Sequence, residues 1–391
     1  MKRAFVLSGI ASVLLAVFAT PGALAQATTK AENIDQSQSG LLNKQTMDLG
    51  NTKGNASGKV NATNIKQSQA GLLNSQKMAI GNSQGGKTNV NASNIKQSQA
   101  GLLNSQEMTV GNAGQGGQSK VNVTSGVNQG QAGLLNRQKM AIGDADRGKS
   151  DVTVGPVNQG QVGLLNNQEM NLGAVSGTGQ SKVRTGTVMQ GQAGLLNSQN
   201  MNVGGVSGSG KSNVQAGAII QGQAGLLNRQ NMEIGKSSGG GQSNVRVGAA
   251  VQGQAGLLNN QDMKIGNASG SGSKSNVAIG AAVQGQAGLL NNQQMQVGNA
   301  SGGGRSNVVV GTVVQGQAGL LNNQQAKIGN ASGGTSNVAV GAVIQGQAGL
   351  LNNQQVNIGN SSGGSSNVAV GAVVQGQAGM LNTQKVNIGN N

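Results

Sequence analysis

The stretch GAVVQGQAGMLNTQKVNIGN, residues 371–390, is the last of twelve near-copies of one phrase. Each copy centres on the glycine of Gly-Leu-Leu-Asn or Gly-Met-Leu-Asn. These glycines are Gly40, Gly71, Gly101, Gly133, Gly163, Gly194, Gly225, Gly256, Gly288, Gly319, Gly349 and Gly379, spaced 30 to 32 residues apart. The extra residues fall in the Gly/Ser stretch between copies, as at Gly302-Gly303-Gly304. Self-similarity at this period marks a stacked architecture, in which one repeat cannot bury its own face without neighbours.

Positions counted from the central glycine separate into a fixed set and a drifting set. Position −6 is apolar (Ile34, Ile65, Val127, Val313 and Val373, with Ala in two copies), −4 and −2 are always Gln, +3 is always Asn and +5 always Gln. Position +7 is Met in nine copies and then Ala326, Val356 and Val386, +9 is Ile, Val or Leu, and +10 is always Gly. Fixed positions two apart carry the period of a β-strand. Between them position −5 drifts through Asp35, Lys66, Asn128 and Val374. The pattern predicts an all-β fold, a β-solenoid of twelve stacked strand–turn–strand cross-β layers, one per repeat. The fixed series, central glycine included, is expected to point inward, with the turn at Ala-Gly-Leu-Leu-Asn. A helix is disfavoured because glycine recurs throughout, at about 1 kcal/mol each time.

Burying an unpartnered amide costs roughly 1–3 kcal/mol, so inward Gln and Asn require partners. Identical amides stacked in register supply them as ladders. The expected rungs are Gln67, Gln69, Asn74 and Gln76 around the turn glycine Gly71, and Gln129, Gln131, Asn136 and Gln138 around Gly133. Further along they are Gln252, Gln254, Asn259 and Gln261 around Gly256, and Gln315, Gln317, Asn322 and Gln324 around Gly319. The last two sets are Gln345, Gln347, Asn352 and Gln354 around Gly349, and Gln375, Gln377, Asn382 and Gln384 around Gly379. A further apolar pair, Val368 and Val370, has the opposite parity and precedes Gly371, which marks a bulge or corner. Whether that pair makes a third face is open from sequence.

Composition narrows the function. Lys2 and Arg3, an apolar run over residues 4–19 and Ala23-Leu24-Ala25 read as a secretory signal peptide over residues 1–25. Both Phe residues fall within it, so residues 26–391 contain no Phe, Tyr, Trp, His or Cys, and the net charge falls from +16 to +14. A conventional core leans on aromatics, and none is available. Without His or Cys the commonest metal ligands, acid–base groups and activated nucleophiles are missing. The expectation is a non-enzymatic, secreted, extracellular protein with no cofactor and no stable membrane insertion.

The corner Gln377-Ala378-Gly379-Met380-Leu381-Asn382 has the Gln-x-Gly-x-x-Asn spacing found in all twelve copies. In this it resembles curlin, the subunit of curli amyloid fibres. The segment Asn352-Asn353-Gln354-Gln355 is similar to that of Fap-type fibre subunits. The repeat is longer than curlin's, and Gln384 stands where curlin tends to have Ala. The resemblance implies a homopolymeric functional amyloid of the biofilm matrix, exported through an outer-membrane pore and seeded by a nucleator subunit.

The remaining features have plainer readings. Residues 205–212 (GVSGSGKS) satisfy GxxxxGK[ST] but lie in the inter-repeat loop, with no helix expected after them. Asp144, Asp146 and Asp151 lack EF-hand spacing, and read as an exposed turn. Basic residues are spread along the chain without aromatics, which fits solubility and edge protection, or capture of anionic matrix polymers. The Leu pair of each turn either tucks over the core or forms an exposed lateral ridge. All ten acids lie at or before Asp262, so the later repeats are expected to stack first. The alternative to a fibre subunit is a monomeric β-solenoid adhesin or spacer. An ice-binding solenoid would need Thr rows, which the repeat lacks.

Overall fold

The computed structural model describes residues 26–389, so the signal peptide read over residues 1–25 lies outside the described residues. The described chain divides into two compact units, residues 26–173 with Gly179–Leu195, and Ala174–Thr178 with residues 196–389. Each unit is a β-solenoid in which one repeat makes one coil. In the first, Ser57–Ile80 pairs in parallel with Lys87–Val110, each residue beside its counterpart. In the second, Leu258–Ile265 pairs with Leu290–Val297 and Lys274–Ala287 with Arg305–Ala318. No residue of the described chain is helical.

One coil of the second unit shows how the repeat folds. Lys274–Ala287 forms a long strand, Leu290–Val297 returns opposite it, and Ala300–Ser301 adds a short strand before the glycine loop. Along the long strand Ser275, Val277 and Ile279 are buried, and so are Ala282, Gln284 and Gln286. The inward parity slips by one at Gly280-Ala281, so the apolar pair before the corner lines the same interior as the Gln rows. A methyl on Gly280 would fall against the carbonyl oxygen of Gly248 in the preceding coil. That close approach is why the corner is glycine. In the first unit some corners use another device, Asn64 and Asn94 with φ of 53° and 52°. Their side chains stack, Asn64 Nδ2 donating to Asn33 Oδ1 at 2.8 Å and Asn94 Nδ2 to Asn64 Oδ1 at 2.9 Å.

The return strand buries Asn291, Gln293, Met295 and Val297, the whole fixed series after the turn. The long and return strands face one another across a thin interior: Gln286 Nε2 reaches the carbonyl of Asn292 at 3.2 Å. Full burial of a Met, Val or Ile contributes about 1.5–3 kcal/mol. Met295, Val297 and Ala282 are each 0 % exposed, so these positions are closed to solvent.

Two expectations need correction. The central glycine does not point inward; Gly288 is half-buried at the edge of the coil. A Cβ there would strike the Gly256 carbonyl and come within 2.6 Å of Asn259 Nδ2. The turn at Gly-Leu-Leu also interrupts the strand only from Gly133 onward. Earlier, Asp35–Leu49, Ser57–Ile80 and Lys87–Val110 run through it without a break.

Candidate functional site

The most regular polar feature of the described residues is their stacked amides. At position −4 of the second unit, Gln252 Nε2 donates to Gln221 Oε1, Gln284 to Gln252 and Gln315 to Gln284, each at 2.8 Å. The column continues with Gln345 to Gln315 at 2.6 Å and Gln375 to Gln345 at 2.8 Å. Position −2 repeats the arrangement, Gln286 donating to Gln254, Gln317 to Gln286 and Gln347 to Gln317, all at 2.8 Å. At +5, Gln261 donates to Gln230 at 2.8 Å, Gln324 to Gln293 at 2.9 Å and Gln354 to Gln324 at 3.0 Å. In the first unit Gln67 donates to Gln36 and Gln97 to Gln67 at 2.9 Å, while Gln131 donates to Gln99 at 3.2 Å and Gln138 to Gln106 at 2.9 Å. Gln69 donates to Gln38 at 3.2 Å, Gln76 to Gln45 at 3.0 Å and Gln129 to Gln97 at 3.2 Å.

The Asn column runs the other way. The inward Gln named above donate to the coil before them, whereas Asn259 Nδ2 donates to Asn291 Oδ1 and Asn291 to Asn322 at 2.9 Å, towards the coil after. Asn322 donates to Asn352 and Asn352 to Asn382, both at 2.8 Å. The same Asn amide holds its own turn and the next one, as Asn291 Nδ2 also donates to Gly288 O at 3.2 Å and to Ala318 O at 2.8 Å. In the first unit Asn74 donates to Asn104 at 3.0 Å and Asn136 to the Val162 carbonyl at 2.8 Å. Each of these coils is thus donor on one face and acceptor on the other, in opposite senses for the inward Gln and the Asn at +3.

The rungs expected around Gly71, Gly133, Gly256, Gly319 and Gly349 are all buried. Those around Gly379 are less buried. Gln375 and Gln377 are half-buried there, and Asn382 and Gln384 are exposed. Ile388 is 63 % exposed where its counterpart Ile358 is 1 % exposed. At the opposite end of the −4 column Gln36 Nε2 is buried without a partner.

Sequence reading missed one ladder-like device. Ser275 Oγ donates to Gly235 O at 2.7 Å, Ser306 to Gly266 O and Ser336 to Gly298 O at 2.6 Å. These serines fix the glycine after the return strand of an earlier coil. The signal was an invariant Ser just before Asn at the start of successive long strands.

The remaining motifs fall on the surface. Lys211 is exposed at a loop end with strand on either side, so no phosphate cradle forms. Asp146 pairs with Arg147 at 3.8 Å, and no group of His, Cys, Asp or Glu able to hold a metal occurs among the described residues. Lys264 contacts Asp262 at 2.9 Å and Glu233 at 3.7 Å. Burial opposes its charge, but the hydrogen bond and field of these carboxylates outweigh that, and its pKa lies above the ordinary 10.5. The turn leucines do not tuck over the core: Leu289 and Leu290 are 43 % and 42 % exposed. In the second unit the turns line a groove of about 900 Å³ formed by Leu and Asn of successive coils. No helix among the described residues is long and apolar enough to cross a membrane. Comparison with protein families, curated proteins and solved structures finds no match.

Proposed function

We propose that this chain is a secreted structural subunit that self-assembles end to end into extracellular amyloid-like fibres, of the curli kind, serving adhesion and biofilm matrix. One observation carries the reading: each coil presents to the next a hydrogen-bonding face complementary to the face behind it. A coil of one molecule therefore fits a coil of another as well as it fits its own neighbour. The exposed amides of Asn382 and Gln384 belong to such a face. The ladder senses require head-to-tail joining, because head-to-head contact sets donors against donors.

The resemblance to curlin extends the proposal to export through an outer-membrane pore and to seeding by a nucleator subunit. The basic surface supports a secondary role in holding anionic matrix polymers. Purified chain lacking residues 1–25, kept at neutral pH, should form thioflavin-positive fibres with a meridional spacing near ~4.8 Å. A β-rich chain that stays monomeric over the same period would overturn the proposal and support a monomeric solenoid adhesin.

A further inference from the structure

The second unit carries a column of glycines that its own fold does not require. From Gly222 to Gly376 the residue at −3 is glycine in each of six successive coils. None of these has a left-handed φ. A Cβ built on Gly222, Gly253, Gly285, Gly316, Gly346 or Gly376 meets nothing within 4 Å. These sites are unlike Gly288, where the preceding carbonyl forbids a side chain. Glycine within a strand weakens it relative to alanine, and it commonly marks a place where another backbone approaches closely.

The neighbouring columns supply what would fill the gap. Two residues before each glycine stands an apolar ridge running from Ile220 to Val374, where Ile344 is 40 % and Val374 54 % exposed. Two residues after it stands exposed Ala, from Ala224 to Ala378. The glycine and alanine columns line an open groove of about 930 Å³. The face from −7 to −1 carries no charge in these six coils, whereas −5 is Asp35, Lys66 and Lys96 in the first three copies, where −3 is Ser. Six coils at ~4.8 Å by seven residues at ~3.3 Å give a flat face of roughly 660 Å². Pairing two such faces buries about 1,300 Å², the size of a stable interface.

We infer that this Val–Gly–Ala face is a lateral interface for a second copy of the chain, the ridge of each copy seated in the glycine groove of the other. A second copy fits because its coils repeat at the same pitch. The ridge and groove columns are adjacent, so a two-fold axis parallel to the stack and passing between −5 and −3 exchanges them. A two-fold along the strands would instead set ridge on ridge. The two copies therefore run side by side in the same direction, a pairing that does not depend on end-to-end growth.

Two measurements test the pairing on soluble chain lacking residues 1–25. In sedimentation velocity the parent chain should dimerise, and Gly285→Lys/Gly316→Lys/Gly346→Lys should weaken the dimer at least tenfold. Ala278→Lys/Ala339→Lys adds the same kind of charge to another exposed column, one that holds Arg184 and Arg246 in other repeats, and should leave the dimer intact. The second measurement does not rely on the lysines being tolerated. The chain has no cysteine, so a mixture of Val314→Cys and Gly316→Cys chains should form the mixed disulfide at least tenfold faster than either chain alone, or than Leu320→Cys on the turn ridge. A monomeric parent, equal loss in both lysine variants, or no preference for the 314–316 cross-link would overturn the inference. Fibre formation is scored separately in the same samples, so failure of end-to-end assembly is distinguishable from failure of this interface.

Discussion

If the amides act as columns rather than as separate pairs, the cost of breaking a column depends on the number of breaks, not the number of residues replaced. In the +5 column, Gln293 donates to Gln261 at 2.8 Å and accepts from Gln324 at 2.9 Å, and all three residues are 0 % exposed. Gln293→Met keeps the volume but leaves Gln261 Oε1 without its donor and Gln324 Nε2 without its acceptor. At roughly 1–3 kcal/mol per buried unsatisfied group, the loss is about 2–6 kcal/mol. Adding Gln324→Met removes one of those groups and creates another, at Gln354 Nε2, which had donated to Gln324 at 3.0 Å. The contiguous double variant therefore still has two unsatisfied groups and should lose about as much as the single. Gln230→Met with Gln324→Met makes two separate breaks. Gln199 Oε1 and Gln261 Nε2 lose the partners held at 2.6 and 2.8 Å, and the loss should be about twice as large. Urea unfolding followed by far-UV circular dichroism on dilute soluble chain gives the comparison directly. Equal midpoint shifts for the contiguous and the separated double variants would refute the column argument, since neighbouring residues would then simply add.

Other predictions follow from the same geometry. Gly288→Ala sets a methyl against the Gly256 carbonyl, whereas Gly285→Ala points into open space; the first should lower the thermal midpoint sharply and the second leave it within a degree or two, and equal effects would remove the close-approach argument. Deleting residues 263–391, the acid-free end of the chain, should lengthen the lag of thioflavin-monitored assembly, and an unchanged lag would mean that those repeats do not lead. The raised pKa of Lys264 means that its ion pairs stabilise the fold fully below the ordinary lysine value of 10.5 and lose that contribution as pH rises through the folded value. Stability of the parent should therefore fall more steeply above pH 10.5 than that of Lys264→Met, and parallel alkaline profiles would show the cluster to be inert.

Much of the fold was legible because the sequence supplies twelve readings of one structure. Constancy at −4, −2, +3 and +5 identified the inward amides, and the drift at −5 identified the outward face. What constancy cannot do is give its own cause. Gly285 and Gly288 are both constant in the later copies, yet one has open space around it and the other a carbonyl. The sense of each ladder was also hidden, because it depends on which amide atom faces which neighbour. The exposure of Leu289 and Leu290 and the carbonyl targets of the Ser column lay out of reach for a similar reason. Both are set by neighbouring coils, and no single copy contains that information.

The amides also explain how so polar and repetitive a chain keeps its register. In an all-apolar stack, sliding one coil by two residues preserves strand parity and still buries apolar rows, so the slip is cheap. Here the order of inward side chains along a coil is Ala282, Gln284, Gln286, then Asn291, Gln293, Met295 and Val297. A two-residue slip of the long strand sets Gln284 over Gln254, which is tolerable, but moves Gln286 over Gly256 and Ala282 over Gln252. Each misplaced amide loses its partner inside a dry interior at roughly 1–3 kcal/mol. The opposed senses of the ladders add a second lock: because the inward Gln donate backward and the Asn at +3 forward, inverting one coil breaks both kinds of column together. Register and direction are thus held by the same few side chains in every coil. A second molecule meeting an open coil is subject to those same requirements, and this ties faithful copying of the phrase to ordered head-to-tail growth.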